Sequence, residues 1–313
     1  MSNLRYDILT GNTVIISENR AKRPFDINLD KNHLATCPFC PGNEENTPPH
    51  LFSKGTPWTI RVVPNKYPAL NNELSENQAG IFSSENITGS HYVIIDSDKH
   101  YNYLHCMEPE EIVSLICTYS WVMKELYKEE TIKYVQIFKN YKKEGGSSLE
   151  HSHSQAVSLS FIPKQIQTQL DNAEGYYKEN NTCLFCKMLQ MEKEANTRII
   201  MESDDYIAFA PYASLLPYEF SIYPKSHSSN FSNMTNAQHI SLSILIKKLL
   251  FKLYEVLNNP AYNLYINSIN TEKGSFHWNI RIVPRISIQA GFELSTGVIL
   301  NSISPEKTKA ILS

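Results

Sequence analysis

The chain has 313 residues, 42% hydrophobic and 19% charged, with a formal net charge of −3. This is a globular balance with room for two compact cores, and it excludes a disordered chain. The charge speaks against a protein that coats nucleic acid, no apolar run approaches the ~18 residues of a membrane helix, and MSNLRYDILT carries no basic-then-apolar leader; a cytoplasmic protein is expected.

In chain order, the first feature is Arg20-Ala-Lys-Arg23-Pro, which sets two guanidinium groups close together in a loop. Cys37-Pro-Phe-Cys40-Pro-Gly then reads as a tight turn able to aim two thiolates at one ion. A strand is predicted from Trp58 to Val63, a turn over Pro64-Asn65-Lys66-Tyr67-Pro68, and a strand from His91 to Ile95 leading to Asp98-Lys99-His100. Glu110 to Tyr127 has apolar residues at helical spacing (Ile112, Val113, Ile116, Tyr119, Met123, Leu126), hence an amphipathic helix. The strand from Tyr134 ends near Asn140, a small-residue turn runs over Gly145 to Ser148, and His151 and His153 open another alternating strand with both rings on one face.

The pattern then restarts. Cys183-Leu-Phe-Cys186 repeats the turn, Tyr206 to Ala210 and Phe220 to Tyr223 repeat strands, and Lys225-Ser226-His227 echoes the segment at His100. A helix is predicted from Ala237 to Leu257, capped by Thr235, followed by a strand from Tyr262 to Asn267 and by Phe276-His277-Trp278-Asn279. His100 and His151 are 51 residues apart, and His227 and His277 are 50 apart. The expected architecture is therefore α+β, a tandem duplication over residues 1–165 and 175–313 joined near 164–180.

Each half offers two thiolates and two imidazoles: Cys37, Cys40, His100 and His151, then Cys183, Cys186, His227 and His277. That is the tetrahedral set of structural zinc, two ions per chain, with a redox pair as the rival for any lone Cys-x-x-Cys. His91 and His105 compete with His100, and the repeat decides for His100. Cys106 and Cys117 stand alone as core residues. Four protein ligands leave no open position for an activated water. His153 answers to Asn279 in the second half, so it is a histidine that the metal set does not need, present in one half only. An imidazole attacks phosphorus at neutral pH without a partner base, giving a phosphoramidate. Gln155, Ser148 and the N–H groups from Gly145 to Ser147 are the nearby neutral donors, and Arg20 and Arg23 the cations for a diphosphate.

The motifs RAKRPF (20–25), CPFCPGNE (37–44), RVVPNKYPAL (61–70), SSLEHSHSQ (147–155), APYASLLPYEF (210–220) and AGFELSTGVILNSISPE (290–306) cover nearly the whole chain. In them the sequence resembles the galactose-1-phosphate uridylyltransferase family of the histidine triad superfamily, including its ADP-glucose phosphorylase branch. The resemblance implies two histidine-triad-like units, each an antiparallel sheet with packed helices and a zinc site, and a homodimer. It implies nucleotidyl transfer between a nucleoside-diphosphate hexose and hexose 1-phosphate, UDP-glucose and galactose 1-phosphate being the default pair, with His153 as nucleophile and Gln155 supporting the phosphoryl group. Arg20, Arg23, Asn65, Asn140 and Ser148 would contact the nucleotide and Glu293 the hexose. The alternatives are a phosphorylase acting on ADP-glucose or a dinucleoside polyphosphate with inorganic phosphate, and a nucleotide-binding zinc protein without catalysis. Glu293 favours a hexose acceptor; Ser152, between the two histidines, resembles the phosphorylase branch, although its side chain points away from the reacting face.

Overall fold

The computed structural model describes residues 2–6, 13–17, 37–70, 82, 84–271 and 274–313. It divides into two compact units, each drawn from several stretches of chain. The first comprises Met1–Tyr101, Trp121–Ile137 and Ser148–Asn172; the second comprises Asn102–Ser120, Phe138–Ser147 and Ala173–Ser313.

In the first unit, β1 (Ser2–Tyr6), β2 (Thr13–Ser17) and β5 (Ser84–Asn86) form a small antiparallel sheet in the order β2-β1-β5. The main sheet of this unit runs β3 (Phe52–Lys54), β4 (Ile60–Pro64), β6 (His91–Ile95), β8 (His153–Leu159), and then the first half of β7 (Tyr134–Tyr141). Register fixes what each face carries. Arg61 pairs with Ile95, which pairs with His153; Val63 pairs with Val93, which pairs with Gln155. Because side chains alternate, these residues share one face, and Cys37, Phe39 and Cys40 pack there against Val63, Val93 and Ile95. Val62, Ile94, Ser154 and Ala156 fall on the opposite face, each fully buried. A strand covered on both sides reads as a continuous apolar run, as Ile60-Arg61-Val62-Val63 nearly does.

The second unit runs β12 (Tyr262–Asn267), β13 (Asn279–Pro284), β11 (Phe220–Pro224), β10 (Tyr206–Phe209), β9 (Ile199–Glu202). Helix α1 spans Pro109–Leu126, one residue from the predicted span at each end. The expected join at 164–180 is occupied by helix α2, Lys164–Asn180, with Ile166, Leu170 and Ala173 buried along one stripe. Its apolar residues are sparse among Gln, Lys and Glu, so periodicity alone did not mark it. Cys183, expected in a turn, is the N-cap of α3 (Leu184–Ala195), which puts Cys186 on the first helical turn. Helix α4 (Asn236–Val256) carries the Thr235 cap, whose hydroxyl accepts the Gln238 N–H while Gln238 reaches back to Thr235. Short helices α5 (Gly291–Thr296) and α6 (Pro305–Leu312) end the chain. No helix among the described residues is long and apolar enough to cross a membrane.

One glycine fixes the β6 approach. At Gly89 (φ +151°) a Cβ would lie 2.1 Å from the Ser158 carbonyl oxygen, beside the bonds that tie Ser90 to Ser158. Gly89→Ala should therefore cost about 2–3 kcal/mol by backbone displacement, whereas Gly42→Ala, also at positive φ but with nothing within 4 Å, should cost about 1 kcal/mol. Denaturant midpoints of the two variants measure the contrast; equal losses would mean that the Ser158 approach is not the constraint.

Candidate active site and metal centres

The Cys37–Cys40 turn is closed by the Cys40 N–H on the Cys37 carbonyl (3.2 Å) and braced by Asn43, whose side-chain amide donates to the same carbonyl (2.8 Å). It brings two sulfurs to two rings. Cys40 Sγ lies 3.2 Å from His100 Nδ1 and 3.5 Å from His151 Nδ1, and Cys37 Sγ lies 3.7 Å from His151 Nδ1. The second unit repeats this: Cys186 Sγ is 3.3 Å from His227 Nδ1 and 3.7 Å from His277 Nδ1. In each set all four donor atoms lie within 4.8 Å of one another. A tetrahedral zinc ion separates a sulfur from a nitrogen ligand by roughly 3.5–3.6 Å, so the residues present fit such an ion.

The surroundings support ligation. His151 donates from Nε2 to the Ser97 carbonyl (2.8 Å) and His277 from Nε2 to the Pro224 carbonyl (2.9 Å), which turns Nδ1 of each ring toward the sulfurs. Burial, then the neighbouring Cys37, pushes the Cys40 thiol up to about 12; burial and Cys183 do the same for Cys186. Without a cation the Cys40 and Cys186 thiols stay protonated, and each becomes a thiolate around a metal. Burial, with His227 beside it, pulls His277 down to about 4, keeping it in the neutral, ligating form.

Beside the first set opens a cavity of about 280 Å³, lined by Phe39, Asn65, Lys66, Ser148, His153 and Gln155 among others. Strand β8 begins at His153 rather than at His151, and both rings pack against Phe39, at centroid distances of 5.4 and 6.1 Å. His153 Nδ1 donates to the carbonyl of His151 (2.8 Å), which leaves the ring lone pair on Nε2. Ser152 is turned to the other face, where Asp96 accepts from both Ser152 (3.2 Å) and Ser154 (3.1 Å). The position that answers to His153 keeps the same bond without the ring: Asn279 Nδ2 donates to the His277 carbonyl (3.4 Å).

The expected contacts divide. Asn65, Ser148, His153 and Gln155 converge on the cavity. Arg20 and Arg23 lie outside the described residues. Asn140 belongs to the second unit, where its amide donates to the Gly146 carbonyl and its oxygen accepts from Asn263. The N–H groups of Gly145, Gly146 and Ser147 are spent within their own turn on Lys142 and Lys143 carbonyls. Glu293, also in the second unit, accepts the Ala290 N–H (3.0 Å) at the start of α5. Among the residues that sequence reasoning did not assign to the cavity are Phe39, Thr47 and Lys66; adjacency, of Phe39 to Cys40 and of Lys66 to Asn65, was the signal for two of them.

Residues 60–313 match a family model described as a domain of unknown function, DUF4921. The chain is similar to an ADP-glucose phosphorylase of Arabidopsis thaliana, 33% identical over 99% of this chain and 92% of that one. It is also similar to a galactose-1-phosphate uridylyltransferase of Thermotoga maritima, 26% identical over 98% and 96%. A crystal structure of an Arabidopsis thaliana ADP-glucose phosphorylase with bound ADP-glucose superposes with a TM-score of 0.79 at 33% identity, covering 100% of this chain and 98% of that one. On a match along almost all of its length, the chain belongs to the galactose-1-phosphate uridylyltransferase family, the ADP-glucose phosphorylase branch included.

Proposed function

We propose that the chain is a nucleotidyltransferase that works through a nucleotidyl-His153 intermediate. The observation that carries this reading is the fixed ring of His153, with Nδ1–H held by the His151 carbonyl and the ring lining a cavity beside Gln155. In the first half-reaction the Nε2 lone pair attacks the α-phosphorus of a nucleoside-diphosphate hexose. The new P–N bond replaces the bridging P–O bond, and hexose 1-phosphate leaves with that electron pair. The imidazolium is stabilised by its Nδ1–H bond to His151, and the Gln155 amide donates to a phosphoryl oxygen. In the second half-reaction an acceptor oxygen attacks phosphorus and the P–N bond breaks.

For the acceptor we infer inorganic phosphate, with ADP-glucose as donor, on the greater identity to the phosphorylase than to the uridylyltransferase. Exchange between UDP-glucose and galactose 1-phosphate is the second reading, supported by the Thermotoga maritima relative and by Glu293 within AGFELSTG. Cys37, Cys40, His100 and His151, and Cys183, Cys186, His227 and His277, would each hold a zinc ion. The ion of the first set would brace the segment that leads into His153. Tandem duplication, the division at 1–165 and 175–313, contacts of Arg20, Arg23 and Asn140 with the nucleotide, and a homodimer complete the reading.

The roles separate by substitution. His153→Asn should keep two zinc ions and lower turnover by roughly a thousandfold or more, whereas His151→Asn and Cys37→Ser should each reduce zinc toward one per chain and lower the melting temperature. Metal analysis beside activity reads both, and an active His153→Asn enzyme would exclude it as nucleophile. The acceptor is decided by giving ADP-glucose and UDP-glucose, each with phosphate and with galactose 1-phosphate. Phosphorolysis of ADP-glucose alone is expected; exchange on UDP-glucose alone would establish the second reading, and activity with none would leave a nucleotide-binding zinc protein.

A further inference from the structure

An amide side chain is nearly symmetric in shape, so whether it presents N–H or oxygen to a cavity is decided by whatever holds its other end. For Gln155 that group is His91. The His91 ring is buried on the same face of β6 as Val93 and Ile95, behind the cavity wall rather than in it. Its Nδ1 accepts the Ala69 N–H (3.0 Å), so the hydrogen is on Nε2, and Nε2 lies 2.9 Å from Gln155 Oε1. A donor facing Oε1 commits the amide: the oxygen is turned back to His91, and the NH2 is the end left for an acceptor in the cavity.

The same residue ties in the loop after β4. The Asn65 N–H donates to the His91 carbonyl (2.8 Å), the Asn65 side-chain oxygen accepts the Tyr67 N–H (2.8 Å), and Asn65 Nδ2 lies 3.1 Å from His91 Nε2. With the hydrogen on His91 Nε2, that N–H and the Asn65 NH2 are both donors, so Nε2 bonds Gln155 Oε1 and not Asn65, whose oxygen is engaged by the Tyr67 N–H. Gln155 is left with nitrogen as its remaining polar end, which suits an anionic oxygen and not a donor.

We propose that His91 is a positioning residue that fixes the Gln155 amide as a hydrogen-bond donor to the phosphoryl oxygens of the bound nucleotide. This rests on the nucleotidyl-His153 reading. It also separates His91 from the metal set: its ring nitrogens serve Ala69 and Gln155, whereas those of His100 and His151 face the sulfurs.

The test uses the full chain and follows the rapid release of hexose 1-phosphate from ADP-glucose and from UDP-glucose with no acceptor present, which reports the first half-reaction. His91→Phe keeps a flat ring without the donor. It should slow that release roughly five- to tenfold, the net worth of one neutral hydrogen bond, with zinc content unchanged. His91→Gln, whose Nε2 reaches about as far as the ring nitrogen, should recover most of the rate. In a Gln155→Ala background, His91→Phe should cost nothing further, because the two residues act as one unit. A structural role alone would instead give additive losses and no recovery by Gln. Nitrogen-15 spectra of histidine-labelled protein give a readout independent of turnover: His91 should be the neutral form with hydrogen on Nε2. A full-rate His91→Phe, additive losses, or hydrogen on Nδ1 would each overturn the inference and leave the nucleotidyl reading standing. A wild-type protein that releases no hexose 1-phosphate from either donor would overturn both.

Discussion

The bond from His153 Nδ1–H to the carbonyl of His151, 2.8 Å long and two residues back along the chain, is the contact on which the site depends. It sets the tautomer of one ring through the backbone of the residue that carries the other. His151 is itself fixed at both ring nitrogens, by the Ser97 carbonyl on one side and the paired sulfurs on the other. Any shift in the Cys-His cluster is thereby passed through a single peptide unit to the ring that lines the cavity. The Cys-His cluster and the ring that lines the cavity are adjacent in sequence and still face different partners.

The second unit shows which part of this arrangement belongs to the fold. The His227 and His277 rings are 5.2 Å apart, against 5.1 Å for His100 and His151, and each late histidine bonds a carbonyl three residues before its partner ligand. Asn279 even preserves the bond to the carbonyl two residues back. What it lacks is a ring nitrogen with a lone pair beyond that bond. The geometry therefore recurs in both units, and a ring with such a nitrogen is present in one.

Much of this was legible in the sequence because metal ligands announce themselves by spacing. Two Cys-x-x-Cys pairs with histidines at matched distances specify both clusters before any contact is known. Ser148 and Gln155 came from their places beside His153 and Asn65 from motif resemblance, and all three line the cavity. His91 carried no such mark. Its importance comes from strand register, which sets it beside Gln155 across β6 and β8, and from a turn that aims the Ala69 N–H at Nδ1. Helix α2 was hidden for another reason: its buried stripe is only Ile166, Leu170 and Ala173, too thin to stand out from its polar neighbours.

The central claim is a covalent bond between His153 and a nucleoside monophosphate, and mass spectrometry addresses it directly. The protein is mixed with ADP-glucose or UDP-glucose in the absence of phosphate and hexose 1-phosphate, quenched in base, where a phosphoramidate survives, and digested. The expected result is one nucleoside monophosphate added per chain, located on His153 and removed when acceptor is supplied before the quench. An enzyme that turns over with acceptor yet carries the adduct on another residue, or carries none, would contradict the account.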